Sequence, residues 1–378
     1  MELYEYKEEF YEFLEHGESK CKGIRRAIDK ALERQDIENA LSLYYIFIEE
    51  DTFECDGFQS IIIFPEYLAL FEKHPEYHDS FKHELMWSFK WISGSAEDYY
   101  QISLSQITDI YRQYGEYCDK FHFNKRSYYR HLWNLLDSFK FRKFPLISNA
   151  EEAHKRMLHC AIDDLSEPKS GEIDDLVSYT LFVERNIEKA LKIAEPVLSG
   201  REWCNVVPHY TYINFADYYF DHGDLKNAMK FAERAVRIIN RDFGSQSSMM
   251  RYKGRCISVL AFGDTKKALK LFRRQLTVCY PNTCGLDHFF FYRGAYHLFS
   301  QLEKSGQKTV RLKLPFKEDD VYKESGIYTV PEMKEYFYGK VKFYADKFDE
   351  RDGNRHFNKM LSKKYEFEET DTNQEQLS

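Results

Sequence analysis

Three stretches of the 378-residue chain carry side chains that could do chemistry. CYPNTC holds Cys279 and Cys284, with His288 just beyond. Three soft donors of this kind could bind zinc. Their spacing is loose and no fourth ligand follows, so buried or loop thiols are the expectation. DERDGN, Asp349 to Asn354, puts Asp352 and Gly353 where a calcium loop has its fifth and sixth positions. Position one would then be Phe348 and position twelve Lys359, neither of them a carboxylate. A turn between two helices, with Gly353 at positive φ, is expected instead. KFHFNKRSYYRHLW, Lys120 to Trp133, mixes rings and cations as single-strand grooves do. Phosphate affinity needs an excess of Lys and Arg, and the chain carries a net charge of −8. This stretch therefore reads as helix with an aromatic core and solvated cations, and no nucleic-acid partner is expected.

The recurrent devices of phosphate, zinc and acyl-transfer chemistry are missing: there is no GxxxxGK[ST], HExxH, GxSxG or GxGxxG. The expectation is a chain with no catalytic residues, no bound metal and no cofactor. The eight cysteines, Cys21, Cys55, Cys118, Cys160, Cys204, Cys256, Cys279 and Cys284, are scattered instead of packed into a small disulfide framework, so reduced and mostly buried thiols are expected.

These residues must be positioned by helices. Aromatic residues make up 17% of the chain, with 31 Phe and 29 Tyr, whereas Gly (17) and Pro (9) are few, a balance that excludes disorder and favours long helices. The N-terminal MELYEYKEEFYEFLEHGE has no basic region followed by an apolar core, so a cytoplasmic location is expected. The longest apolar stretch, around Ile61 to Phe71, is broken by Pro65 and Glu66 and is too short to span a bilayer. No membrane partner is expected.

Four segments repeat one frame: QDIENALSL from Gln35, RNIEKALKI from Arg185, GDLKNAMKF from Gly223 and GDTKKALKL from Gly263. Asp36, Asn186, Asp224 and Asp264 can each cap a helix, and Ala40, Ala190, Ala228 and Ala268 follow four residues later, where a small side chain allows close helix contact. Apolar residues then recur at helical spacing, for example Leu225, Ala228, Met229 and Ala232; Thr265 is the one lapse. Ahead of the third turn, Tyr212, Phe215, Ala216 and Tyr219 share one face and Gly223 stands at the position that ends a helix. The marker alanines are 38 residues apart from Ala190 to Ala228 and 40 from Ala228 to Ala268, longer than the roughly 34 of an ideal tetratricopeptide repeat.

The segment Tyr210 to Arg237, YTYINFADYYFDHGDLKNAMKFAERAVR, resembles a tetratricopeptide repeat, with Tyr212, Phe215, Ala216, Tyr219, Gly223, Ala228 and Ala235 at the favoured positions. More widely, IRRAIDKALERQDIENAL, LMWSFKWI, ISLSQITDIYRQYG, EKALKIAEPVLSGREWCNVVPHYTY and ADKFDERDGNRHF resemble a family of uncharacterised bacterial repeat proteins of this type. The resemblance implies an all-α solenoid of helical hairpins in the bacterial cytosol and no particular activity. It also implies a cysteine pair just before the VSYTLF helix. Here that stretch is Glu167, Pro168, Lys169, Ser170 and Gly171, so no metal or redox role is carried over.

The expected organisation is an N-terminal set of degenerate hairpins over 1–165, repeats over 166–306, a strap and capping helices over 307–365, and a disordered acidic tail over 366–378. The array is expected to start near Lys22, with Ser166 to Gly171 as a joint. TVRLKLP from Thr309 alternates as an extended strap does, and Pro331 to Leu361 reads as helix that caps the solenoid.

The expected function is protein or peptide binding by the concave face that the first helix of each hairpin lines. On that face the candidates are Tyr210, Asn214 and Asp217, with Lys253 and Ile257 in the next hairpin, and Trp203 and His209 at the start of the helix. A narrower version is neutralisation or regulation of one cognate protein, as an immunity protein does for a toxin, since an acidic groove screens a basic active site. Two alternatives stay open: a peptide-responsive regulatory receptor, and a hydrolase or nuclease whose residues carry no familiar motif. The sequence sets no oligomeric state.

Overall fold

A computed structural model describes residues 1–141, 143–243, 249–277 and 282–367. The fold is all-α apart from one two-stranded ladder among the described residues. The chain divides into two compact units that part between Glu167 and Pro168.

The first unit contains α1 (Leu3–Phe10), α2 (Glu18–Glu33), α3 (Ile37–Glu54), α4 (Phe58–Lys73), α5 (His78–Ala96), α6 (Leu104–Phe121), α7 (Arg126–Phe139) and α8 (Ala150–His159). Two later segments, around Cys284 and around Arg351, join it. Helix α2 packs on α3, α3 on α4 and α7 on α8. Its core is rich in rings, with Tyr67, Phe71, Phe89, Tyr111, Tyr114 and Trp133 almost fully buried.

The second unit contains α9 (Lys169–Phe182), α10 (Ile187–Leu198), α11 (His209–Asp221), α12 (Leu225–Asp242), α13 (Met250–Gly263) and α14 (Thr265–Leu276). It also holds most of α15 (Gly285–Lys304), strands β1 (Thr309–Arg311) and β2 (Ile327–Thr329), most of α16 (Val330–Asp352) and α17 (His356–Ser362). Helices α9 and α10, α11 and α12, and α13 and α14 pack as pairs, and α11 packs on both α9 and α13. The first helices of three successive pairs thus lie side by side. No helix among the described residues is long and apolar enough to cross a membrane.

The repeated frame explains why these helices start where they do. Each expected cap accepts a backbone N–H three residues on: Asp36 from Asn39 (3.4 Å), Asn186 from Lys189 (3.0 Å), Asp224 from Asn227 (3.0 Å) and Asp264 from Lys267 (3.0 Å). The four marker alanines are fully buried, where a larger side chain would hold the paired helices apart. In α12 the buried set Ala228, Phe231, Ala232, Ala235 and Ile239 forms one stripe at helical period. The first two turns place Gln35 and Arg185 at φ +57° and +57°, a left-handed conformation that the third turn gives to Gly223.

The expected strap after Gly306 pairs with itself. Strands β1 and β2 run antiparallel with Val310 opposite Tyr328, both buried, while their neighbours are exposed. Pro331 to Leu361 is helical in two pieces, and DERDGN ends the first of them: Gly353 has φ +66° before α17 begins. In that turn Asn354 Nδ2 donates to the carbonyls of Phe139 (2.9 Å) and Lys140 (2.8 Å).

The basic and aromatic stretch Lys120 to Trp133 departs from expectation. It is two helix ends around His122, whose φ is +58°, and its cations are not all solvated. Arg126 is buried and donates to the carbonyls of Met157 (3.1 Å) and Cys160 (3.0 Å), closing off the end of α8.

Candidate functional site

Helices α9, α11 and α13 present a polar ladder within the second unit. Thr211 Oγ1 donates to Asp174 (2.5 Å), and Asn214 Nδ2 donates to Ser178 (3.1 Å), tying α11 to α9. Arg255 on α13 donates through Nε to Asp217 (2.5 Å) and through Nη2 to Asn214 (3.0 Å). Half-buried charge-assisted bonds of this kind hold register as well as contributing energy. Tyr210 extends the ladder by stacking on Tyr252 at 4.1 Å between ring centroids.

The residues expected to line a binding face fall into three groups. Tyr210, Asn214 and Asp217 come together on α11, facing α13. Trp203 stands apart in the loop before α11 and is 72% exposed, so it is not packed beneath that loop. His209, Lys253 and Ile257, and Asn214 of the first group, do not offer themselves to a ligand, because all four are buried. His209 lies against Tyr210 (4.9 Å) and Phe243 (5.0 Å), and Lys253 Nζ donates to the Phe243 carbonyl at 3.5 Å. The reason is that α11 and α13 are covered on more than one side: on α11 even Ile213 and Ala216, between the ladder residues, are inside. Burial pushes the His209 pKa down to about 4, partly offset by the Asp242 carboxylate.

Beyond the ladder lies a second cluster. The chain's own residues Tyr365 and Phe367, after the end of α17, lie on Phe220 of α11 (centroids 4.2 and 5.3 Å) and on Phe262 of α13 (5.7 and 5.3 Å). His297 of α15 meets Tyr365 edge-on at 5.6 Å, and Arg293 of α15 donates to its hydroxyl. That hydroxyl donates to Asp221 (3.2 Å), which also pairs with Lys363 (2.9 Å). Burial pushes the Tyr365 pKa up to about 12, against the pull of Arg293. Among the described residues, Arg293 Nε and His297 Nδ1 are buried without a hydrogen-bond partner. Glu366 and Phe367 fall in the stretch expected to be a disordered tail, and both are placed; residues 368–378 lie outside the described residues.

Sequence reasoning did not single out Arg255, Arg293, Tyr365 or Phe367. One signal was present: in KKYEFEE, rings alternate with charges at a spacing of two, which puts both rings on one side of an extended segment.

For metal chemistry, Cys279 of CYPNTC lies outside the described residues, and Cys284 is buried with Sγ 3.8 Å from the Asp98 carbonyl. Among the described residues, the set of three potential ligands brought within reach of one ion is Cys21, Asp51 and Cys55, in the first unit. A broad cavity of about 340 Å³ on α12, α13 and α14 is lined by Arg237, Lys267, Lys270 and Arg274 with Glu233, away from the ladder residues. Comparison of the chain with family models, curated proteins and solved structures returns no match.

Proposed function

We infer that the chain is a non-catalytic helical-repeat scaffold of the tetratricopeptide type, in the cytosol, which binds a protein or peptide along the wall made by α9, α11, α13 and α15. One observation carries this reading. The chain's own extended segment Lys363 to Phe367 already lies on that wall, with two rings on Phe220 and Phe262 and a buried guanidinium on the Tyr365 hydroxyl. A wall that accepts an extended aromatic segment from its own chain has the chemistry to accept one from another. The ligand class that fits is an extended peptide with a Tyr-x-Phe spacing. The fixed ladder between Asp174 and Arg255 supports the reading, since it pre-orients the helices without a ligand.

The same contact favours the regulatory version over simple neutralisation. A tethered segment must leave before an external peptide can take its place, so binding is coupled to release of the C-terminus.

The test uses the chain truncated after Ser362, checked for fold by circular dichroism, and a labelled peptide of sequence LSKKYEFEET. The truncated chain is expected to bind the peptide. The intact chain should bind it about tenfold more weakly, because its site is occupied. Absence of binding to the folded, truncated chain overturns the reading.

A further inference from the structure

The first unit brings two thiols and a carboxylate together. Cys21 sits in the first turn of α2, while Asp51 and Cys55 are four residues apart at the end of α3, which puts them on one face of that helix. One ligand atom from each lies within 4.8 Å of the others. Cys21 and Asp51 are buried and Cys55 is partly exposed, so the cluster is closed on two sides and open to solvent on the third.

The surroundings orient these groups. Gly17, the residue before α2, donates its N–H to Glu50 (2.7 Å), which pins the start of α2 to the end of α3. Asp51 accepts the backbone N–H of Ser60 in the first turn of α4 at 2.6 Å, and a ligating carboxylate held in this way by an outer partner is a recurrent feature of metal sites. The first turn of α4 thus meets the carboxylate directly, while in the metal-free cluster the hydrogen bond with Cys55 and burial raise the Cys21 thiol and burial raises the Asp51 carboxyl. The Lys20 ammonium, next to Cys21 in the chain, pairs with Glu50 at 2.9 Å.

We propose that Cys21, Asp51 and Cys55 form a binding site for a soft divalent cation of the zinc class. Two thiolates with one carboxylate suit zinc above calcium or magnesium, which take oxygen donors. With zinc–sulfur bonds of about 2.3 Å and zinc–oxygen bonds of about 2.0 Å, tetrahedral ligands lie about 3.3–3.8 Å apart. Closing the cluster from its present span needs movement on the order of 1 Å, within reach of side-chain rotation. Solvent on the Cys55 side supplies both the entry path and the fourth ligand. Binding displaces the two thiol protons, one from each cysteine, into solution.

The experiment uses the reduced full-length chain titrated with Co²⁺ and then Zn²⁺. Expected are a thiolate-to-cobalt charge-transfer band and the visible bands of tetrahedral cobalt, reversed by one equivalent of zinc, with two protons released per ion into a pH indicator. Cys21→Ser and Cys55→Ser should each abolish this signal. Asp51→Asn keeps an acceptor for the Ser60 N–H and should keep the fold while weakening zinc affinity about tenfold or more. If Cys21→Ser does not fold, the partly exposed Cys55→Ser and Asp51→Asn carry the test alone. A reduced wild-type chain without the charge-transfer band overturns the proposal. So does a band that survives unchanged in the Cys55 variant, which would assign it to other cysteines, or an affinity untouched by Asp51→Asn.

Discussion

Arg293 reaches from α15 to donate a hydrogen bond to the hydroxyl of Tyr365, 72 residues further along the chain. The guanidinium is buried and its Nε has no hydrogen-bond partner among the described residues, so this contact carries much of what satisfies the group. Removing the hydroxyl alone tests it. Tyr365→Phe keeps the ring on Phe220 but strands the guanidinium. It should lower stability by about 1–2 kcal/mol in urea denaturation, and speed proteolysis of the C-terminal residues. Unchanged protection of the C-terminus would show that the rings alone hold the segment.

Arg255 serves two acceptors at once, Asp217 and Asn214. Arg255→Ala should cost about 1–3 kcal/mol, and a double-mutant cycle with Asp217→Ala should show a coupling of about 1 kcal/mol, since both side chains retain some solvent contact. A coupling near zero would reduce the ladder to a surface ion pair.

Gln35 and Arg185 occupy left-handed turns in which side chains with a Cβ are strained. Gln35→Gly and Arg185→Gly should each raise stability by about 0.5–1 kcal/mol, the relief of strain exceeding the added freedom of the unfolded chain. The two effects should add, as the residues belong to different helix pairs. Thermal unfolding of the single and double variants checks both statements.

Gly254 faces the backbone of α15, and a Cβ there would lie 2.6 Å from the Phe290 carbonyl oxygen. Gly254→Ala should destabilise by about 1–3 kcal/mol in urea denaturation through overpacking. A neutral result would show that α13 and α15 can part without loss.

His209 is buried in neutral form, with its pKa lowered by burial to about 4 against an unfolded value of about 6.5. Between these values the unfolded chain holds the extra proton, so the histidine's contribution is full above pH 6.5 and is lost as pH falls towards 4. His209→Gln should therefore flatten the acid limb, losing about 2 kcal/mol less than the wild type between pH 7 and pH 5. Parallel pH profiles would place the proton elsewhere.

What the sequence made legible was local. The caps Asp36, Asn186, Asp224 and Asp264 and their alanines are written in a short frame, because a cap acts three residues away and a helix contact four. The turn at Gly353 was legible for the same reason. The wall residues were only half so. Periodicity marks one apolar stripe on a helix and cannot tell a solvated second face from one covered by a neighbouring helix, so His209 and Asn214 on α11 and Lys253 and Ile257 on α13, expected to be presented, are interior. Contacts made across long separations, Tyr365 on Phe220 or Cys21 beside Cys55, leave no spacing to read.

Gly254 and Gly294 press main chain on main chain: a Cβ on Gly294 would come within 2.4 Å of the Gly254 carbonyl oxygen. Side chains can change rotamer to accommodate a guest; two bare backbones have nothing to turn aside. This crossing is a rivet, and the distance it sets between α13 and α15 is a fixed gauge. On the proposed reading, a peptide in the place of Tyr365, between Phe262 and His297, would have to match that gauge as it stands, and size would select it before chemistry does.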